Sequence, residues 1–370
     1  MATQGPTRIC KRMYDLIILG GGPAGTAAAI TAAGNGASVL ILEQGRFPRH
    51  KVCGEFVSPE SLALLQSLLK PETVLLQQAP RLAAARVFLD GRQLHAPIHP
   101  PAASIPRFQL DLALWRAAEQ AGAQAQTQTT GQRLSGNGPF LVETAGSSFE
   151  ARSVINASGR WSSLSPRPSS TAGHKWLGIK AHFQEPTPPA SVDLYFFAGG
   201  YCGVQPVAPG VINVSAMVRA GAATTLLAVF ALHPQLQERS LNWRPATEPV
   251  TTAPLFFCHP EPLRENVLLA GDAAGFVDPF VGDGIALALR SGALAAQCLL
   301  PFFRGESSLH HAAGIYRETY RRAFLPVFRN AARFRRLLSL PARLRAPFVH
   351  LLEHTGLPAF VVRSTRGAAG

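Results

Sequence analysis

The segment Tyr14–Glu43 constrains this chain more than any other. YDLIIL (14–19) is continuously apolar after Asp15, the pattern of a parallel strand buried on both faces. GGGPAG follows at once, TAAAITAAG (26–34) reads as a helix of small residues, and SVLIL (38–42) reads as a second buried strand. A strand, a glycine turn, a helix and a second strand in that order begin a doubly wound α/β sheet. Gly20, Gly22 and Gly25 form G-x-G-x-x-G, with Pro23 and Ala24 inside the turn. Gly20 permits the tight turn, Gly22 lets backbone N–H groups approach a pyrophosphate, and Gly25 lets helix and strand pack closely. The helix N-terminus adds partial positive charge for the phosphates. Glu43, followed by Gln44, closes the second strand about twenty residues on, where a carboxylate accepts hydrogen bonds from ribose hydroxyls and repels a 2′-phosphate. The loop is expected to hold FAD or NAD and not NADP.

The choice between those two rests on Asn266–Ala296, NVLLAGDAAGFVDPFVGDGIALALRSGALAA. A strand, VLLA, feeds Gly271 and Asp272; a loop containing Pro279 follows; Gly282, Asp283 and Gly284 then open a helix at Ile285. Asp272 is placed to accept a hydrogen bond from a ribityl hydroxyl. The Gly284 and Ile285 amides, at a helix start, are placed to face a flavin pyrimidine and stabilise negative charge on the reduced ring. A nicotinamide dehydrogenase has no need of this second site, so the cofactor is read as FAD.

With both segments in view, the chain resembles the flavoproteins of the p-hydroxybenzoate hydroxylase fold over roughly Tyr14–Ala296. Within that group KVCGE (Lys51–Glu55) looks most like the K-x-C-G segment of the geranylgeranyl reductase branch, which implies that Lys51 and Cys53 run beside the flavin. Arg107 is similar to the arginine that opens the equivalent helix. YCGVQP (Tyr201–Pro206) stands where that branch has Y-x-W-x-F-P, without its Trp and Phe, which weighs against a polyprenyl substrate. The family's Ala-Asp-Gly motif appears as Ala157-Ser158-Gly159, so Gly159 keeps its cofactor-side position while the carboxylate is gone. The W-x-W-x-I-P signature of flavin halogenases is absent, since Trp161, Trp176 and Trp243 each stand alone; halogenation is not expected.

The fold class that follows is α/β. A discontinuous Rossmann-like FAD-binding domain (13–80, 106–165 and 260–300) is expected to carry an inserted, mostly antiparallel β-sheet substrate domain (81–105 and 166–259), with a C-terminal helical region (301–370). The insertion is read from LGIKAHF, VDLYFFAGGYCGVQPVA and VINVSAMV, whose alternation and Gly and Pro punctuation suit short antiparallel strands. A helix is expected over Gln109–Ala121 and another over Ala222–Leu232. MATQGPTRICKR reads as a loose leader ahead of Met13. Five scattered cysteines without a Cys-x-x-Cys pair argue against a disulfide framework and a zinc site, and for a reducing, cytoplasmic setting. No metal site is expected. No uninterrupted apolar run reaches the roughly eighteen residues of a membrane span.

The net charge of +13 is concentrated toward the C-terminus. From Ile315 to Arg345 nine arginines face a single acid, Glu318, and Arg329, Arg333 and Arg336 share one helical face. A solvated helix face is the first reading, a peripheral contact with the inner membrane surface the second. Nucleic acid is not expected, because no recognition motif accompanies the charge.

Cys53, Glu55 and Tyr201 are the catalytic candidates. Cys53 is either a thiol that touches substrate or a small residue packed on the flavin. His50 and Lys51 are further acid–base candidates, and His182 and Tyr195 lie on the expected pocket wall. With FAD reduced by NAD(P)H, oxygenation of an apolar small molecule by a monooxygenase reaction ranks first and reduction of a carbon–carbon double bond second. A non-redox or structural flavoprotein, prompted by Ser158, ranks third.

Overall fold

The computed structural model describes residues 8–69, 74–160, 164, 175–252, 254, 255, 257 and 259–354. Trp161, Cys258 and residues 355–370 of the C-terminal region lie outside these residues.

The chain opens with β1 (Arg8–Leu19), α1 (Pro23–Ala33), β2 (Val39–Leu42), β3 (Phe56–Val57), α2 (Pro59–Leu69) and α3 (Val74–Gln78). It continues through β4 (Arg81–Leu89), β5 (Arg92–Ser104), α4 (Arg107–Gln120), β6 (Gln124–Gln126), β7 (Arg133–Gly136), β8 (Phe140–Glu143) and β9 (Ser147–Asn156). Next come β10 (Trp176–Gln184), β11 (Ser191–Phe197), β12 (Gly200–Ala208), β13 (Val211–Arg219), α5 (Leu226–Phe230) and α6 (Pro234–Ser240). Four short strands follow: β14 (Arg244–Pro245), β15 (Val250–Thr251), β16 (Leu263–Arg264) and β17 (Val267–Leu269). Three helices close the described chain, α7 (Gly284–Phe303), α8 (Leu309–Ser339) and α9 (Ala342–His354).

The first sheet has the order β16-β17-β9-β1-β2-β6, with β7 and β8 added beside β9. Its central pairs are parallel and end in register: Leu19 lies opposite Leu42 and Asn156, and Leu269 also lies opposite Asn156. The glycine loop, Glu43, Ala157–Gly159 and Gly271–Asp272 therefore all leave from the carboxyl ends of adjacent strands, where ligands of open α/β sheets bind. Leu16, Ile17, Ile18, Leu40 and Ile41 are fully buried, as continuous apolar strands covered on both faces must be. One cover is α1 packed on α7. A Cβ on Gly25 would lie 1.8 Å from the Gly20 carbonyl oxygen, and one on Gly292 only 1.9 Å from that of Ala24. The small residues of these helices are the condition for that approach.

The second sheet runs β14-β10-β13-β12-β11-β4-β5-β3, with β15 on β10. Every pair is antiparallel except β4 with β11. Alternation sorts its side chains. Ile179, Ala181, Tyr195, Cys202 and Val214 pack with Val229, Phe230 and Leu236 of α5 and α6, while Lys180, His182 and Tyr201 occupy the opposite face of their strands.

Several expectations shift. β1 begins at Arg8, inside the expected leader, and pairs with β9 before a bulge at Met13. Arg107 is the first residue of α4 and not a residue ahead of it. The helix expected over 222–232 is confined to α5, because Gly221–Thr225 is spent on a turn and on the Thr225 cap, whose hydroxyl accepts the Ala228 amide. β3 joins the second sheet although Phe56 and Val57 lie in the stretch assigned to the first unit. α7 is long and apolar enough to cross a membrane by length and composition, which a search for uninterrupted apolar runs misses because Arg290 interrupts it; half of its residues are buried in the core.

Candidate functional site

The glycine loop and Glu43 form one unit. Glu43, 4% exposed, accepts the Gly21 amide at 2.8 Å through Oε2, and the Gly45 amide at 2.7 Å and Arg49 at 2.8 Å through Oε1. Burial opposes the charge, but the Gly45 amide, the Arg49 guanidinium and the Gly21 amide outweigh it and hold the carboxyl below its ordinary range. A carboxylate offers about four acceptor positions, so one remains on Oε2. Gln44 is exposed in the turn that follows.

The motif glycines divide into two kinds. A Cβ on Gly20 would lie 2.4 Å from the Ala157 oxygen, and Gly25 is as tightly enclosed. On Gly22, Gly159 or Gly284 a Cβ would meet nothing within 4 Å. These three glycines come from the three motif segments, and each borders open space. No side chain caps α1, which has Pro23 at its start, so the Ala24 and Gly25 amides lack helical acceptors and suit a pyrophosphate. The Asp272 side chain is 40% exposed, with Arg160 at 3.6 Å. At the start of α7, Gly284 is exposed and Ile285 buried; Pro279 is exposed in the loop before it. An extended dinucleotide with a second ring system fits this set of residues. Ser158 does not replace the missing carboxylate: its hydroxyl and amide both turn back onto Asn156 Oδ1.

Lys51–Glu55 lies between the two sheets. On one side the Phe56 ring is 3.1 Å from a Cβ built on Gly282, and Cys53 packs in the cluster that contains Ile285 and Leu289. On the other side Val52 Cγ1 is 2.8 Å from a Cβ built on Gly178 of β10. Asn213 of β13 donates to the Cys53 and Gly54 carbonyls at 3.1 and 2.9 Å. The segment thus touches both the α7 start and the second sheet.

Glu55 is fully buried and accepts Lys180 Nζ at 2.9 Å and the Arg107 amide at 3.0 Å through Oε1. Its Oε2 lies 2.7 Å from His182 Nε2. Burial opposes the charge, yet His182 and Lys180 hold the Glu55 carboxyl below its ordinary range. Arg107 pairs with Asp111 at 2.6 and 2.8 Å and also reaches the Cys53 thiol. Burial pushes that thiol up, so it carries its proton at neutral pH. Burial, then the Arg107 and Arg49 charges, push Lys51 down.

The sequence candidates separate accordingly. Cys53, Glu55, Lys51, Arg107 and His182 come together with His50. Tyr201 lies instead among the rings of Phe196 and Phe280, 5.5 and 6.1 Å away, with its phenol pushed well up by burial and by Asp278. Tyr195 is on the opposite face, stacked on Phe88 and bonded to Arg239. Lys180 and Asn213 were missed. A lysine two residues from His182 in the strand LGIKAHF was the available signal, since a charge at that spacing shares its face. Among the described residues no group of three or more His, Cys, Asp or Glu is arranged to hold a metal.

The family described as FAD dependent oxidoreductase matches residues 15–48. Menaquinone reductase of Mycolicibacterium smegmatis is 27% identical over 316 residues, covering 77% of this chain and 76% of that protein. The chain is an FAD-dependent oxidoreductase. Digeranylgeranylglycerophospholipid reductase 2 of Methanopyrus kandleri is another relative of this oxidoreductase, 26% identical over 88% of the chain and 87% of the relative. Among solved structures, a flavin-dependent brominase superposes with a TM-score of 0.78 at 19% identity, covering 96% of this chain and 93% of that one. A geranylgeranyl bacteriochlorophyll reductase-like protein from Thermoplasma acidophilum gives 0.75 at 20% identity, covering 96% of each. These likenesses establish the α/β fold with its Rossmann-like FAD-binding unit.

Proposed function

We propose that this oxidoreductase adds hydrogen across a carbon–carbon double bond of an apolar substrate, with NAD(P)H as electron donor. The observation that carries the reading is Cys53: a protonated thiol between the α7 start and the second sheet, held by Arg107 and by the turn that Asn213 anchors. FAD, when bound, supplies hydride transfer. Gly22 and the α1 amides hold its phosphates, Glu43 a ribose, Asp272 the ribityl chain, and the α7 amides the ring. Trp176, Tyr201, Phe257, Phe276 and Phe280 form an apolar cluster that excludes water beside the loop preceding α7. Cys53 Sγ gives its proton to the carbon that does not receive hydride and regains one from solvent. The relatives named as reductases, which align over three-quarters or more of the chain, support the same chemistry.

Oxygenation, ranked first on sequence, keeps one specific support. YCGVQP lacks the Trp and Phe of the reductase branch, and Tyr201 sits in an aromatic cluster suited to a ring-shaped substrate. Turnover of an unsaturated substrate under strictly anaerobic conditions, lowered at least tenfold in kcat by Cys53→Ala, is the expected result. Product that appears only with stoichiometric oxygen consumption would replace the reductase reading. Bleaching of the bound flavin by NADH or NADPH tests the donor and excludes a non-redox role. Cytoplasmic placement, with peripheral contact to an anionic membrane through the exposed Arg329, Arg333 and Arg336, belongs to the same proposal.

A further inference from the structure

Glu55 combines two features that rarely coincide. It is a fully buried carboxylate, and its backbone adopts φ +61°, a left-handed conformation unusual for a residue other than glycine. Such a conformation persists only where its surroundings over-determine it, and it concentrates at functional sites. Here the surroundings are explicit. The Glu55 carboxylate is held by Lys180, His182 and the Arg107 amide, its carbonyl accepts the Ile105 amide at 2.9 Å, and its own amide donates to Cys53 Sγ at 3.3 Å. The thiol and the carboxylate are thus joined through one peptide unit. Whatever fixes the carboxylate fixes the thiol.

Lys180, 1% exposed, has a second neighbour, His50 Nδ1 at 3.5 Å. An ammonium has donors only, so the nitrogen facing it must be bare and His50 neutral. Burial, followed by the Lys180 and His182 charges, pushes His50 down, with only the Glu55 charge opposing. The His50 ring also stacks on Phe108 of α4 at 4.9 Å and meets the edge of His182 at 5.5 Å. The charged groups around the cluster are Lys180 and His182 of β10, Arg107 and Asp111 of α4, and Lys51 on the segment itself. Protonating His50 would set a second cation against the Lys180 ammonium, beside the carboxylate that Lys180 and His182 already share. His50 is half-buried, which leaves it open to solvent protons as the other members are not.

We propose that Glu55 is the positioning residue of the Cys53 thiol, and that Lys180, His182 and a neutral His50 form the clasp through which the second sheet holds it. The clasp joins the Cys53 segment to β10, so the thiol keeps its place relative to the inserted sheet as well as to α7. Acid loosens the clasp by charging His50.

This proposal rests on the reductase reading only for its consequence in turnover; the placement of the thiol is read without substrate. The test is the rate at which 4,4′-dithiodipyridine modifies Cys53 in the purified full-length protein, followed by mass spectrometry of its peptide, with the fully buried Cys202 of β12 as internal control. Glu55→Gln and Glu55→Gly are each expected to speed Cys53 modification about tenfold, as loss of a charged hydrogen-bond hub implies, while Cys202 keeps its rate. Glu55→Gln with Lys180→Met removes both buried charges, so it should recover much of the thermal stability lost in either single variant while Cys53 stays fast. His50→Gln keeps a neutral acceptor for Lys180; it should match the parent at neutral pH and react more slowly than the parent as pH falls below the ordinary histidine range, where His50 charges. The proposal is overturned if Glu55→Gly protects Cys53 as the parent does, if Cys53 and Cys202 accelerate together, or if the double variant restores parental protection. A parent-to-His50→Gln ratio that is constant with pH removes His50 from the clasp.

Discussion

The glycine loop with Glu43 and the Cys53 clasp are both built on buried carboxylates that accept backbone amides, yet they are assembled differently. Glu43 meets its amide partners within 22 positions in sequence, at the ends of two neighbouring parallel strands. Glu55 meets Lys180 and His182 across 125 and 127 positions, and Asn213 reaches the Cys53 carbonyl across 160. The first is a local device that a strand, a turn and a helix form by themselves. The second exists only once the two sheets have docked. Binding of a dinucleotide is therefore a property of one unit, whereas placement of the thiol is a property of the junction.

Glycine substitutions give the largest effect that sharpens this contrast. Gly25→Val drives a side chain into the Gly20 carbonyl, so loss of the folded protein, a destabilisation above about 4 kcal/mol, is expected in thermal melts. Gly22→Val meets open space and should melt close to the parent.

At the junction, Lys180→Met leaves Glu55 buried without its ammonium. A loss of about 3 kcal/mol in denaturant unfolding is expected, with the helical far-UV signal intact. An equal loss in Glu43→Gln would erase the distinction, since Glu43 is relieved mainly by amides and the partly exposed Arg49.

Acid separates the two regions less strongly. His50 has its pKa lowered on folding, so its contribution is whole above the unfolded value of about 6.5 and is lost as pH falls through the folded value. Glu43 and Glu55 are lowered from about 4.5, so their contributions persist to more acid pH and are lost below that value. Stability against pH should fall in two stages, and His50→Gln should shrink only the first, to which the likewise lowered His233 also contributes.

These contrasts also explain what the sequence disclosed. The continuous apolar strands, the glycine spacing and the small residues of α1 and α7 are consequences of local packing, so Gly20, Gly22, Gly25, Glu43 and Asp272 were legible as a set. The alternation of β10, β12 and β13 announced a sheet with two faces, but not which face met Lys51–Glu55. Asn213 was illegible for that reason, Lys180 showed only in its two-residue spacing from His182, and Tyr195, on the sheet expected to line the pocket, packs on the face away from His182. The C-terminal arginines show the same limit. Read along the chain they face only Glu318, but Arg335 meets Asp278 at 3.4 Å and Arg345 pairs with Asp90, partners supplied by distant elements.

The smallest effect concerns the arginines that remain exposed. Replacing Arg329, Arg333 and Arg336 together by Glu should alter stability by no more than about 0.5 kcal/mol per site, while abolishing co-sedimentation with anionic vesicles. Retained co-sedimentation would assign the membrane contact elsewhere.

Central to the proposed function is an FAD held between two glycine segments of one unit. The flavin absorbance of purified Gly22→Val and Asp272→Ala, measured against protein concentration, tests this most directly. Both variants should be folded and colourless beside a yellow parent; a folded variant of either kind that retains stoichiometric FAD would contradict it.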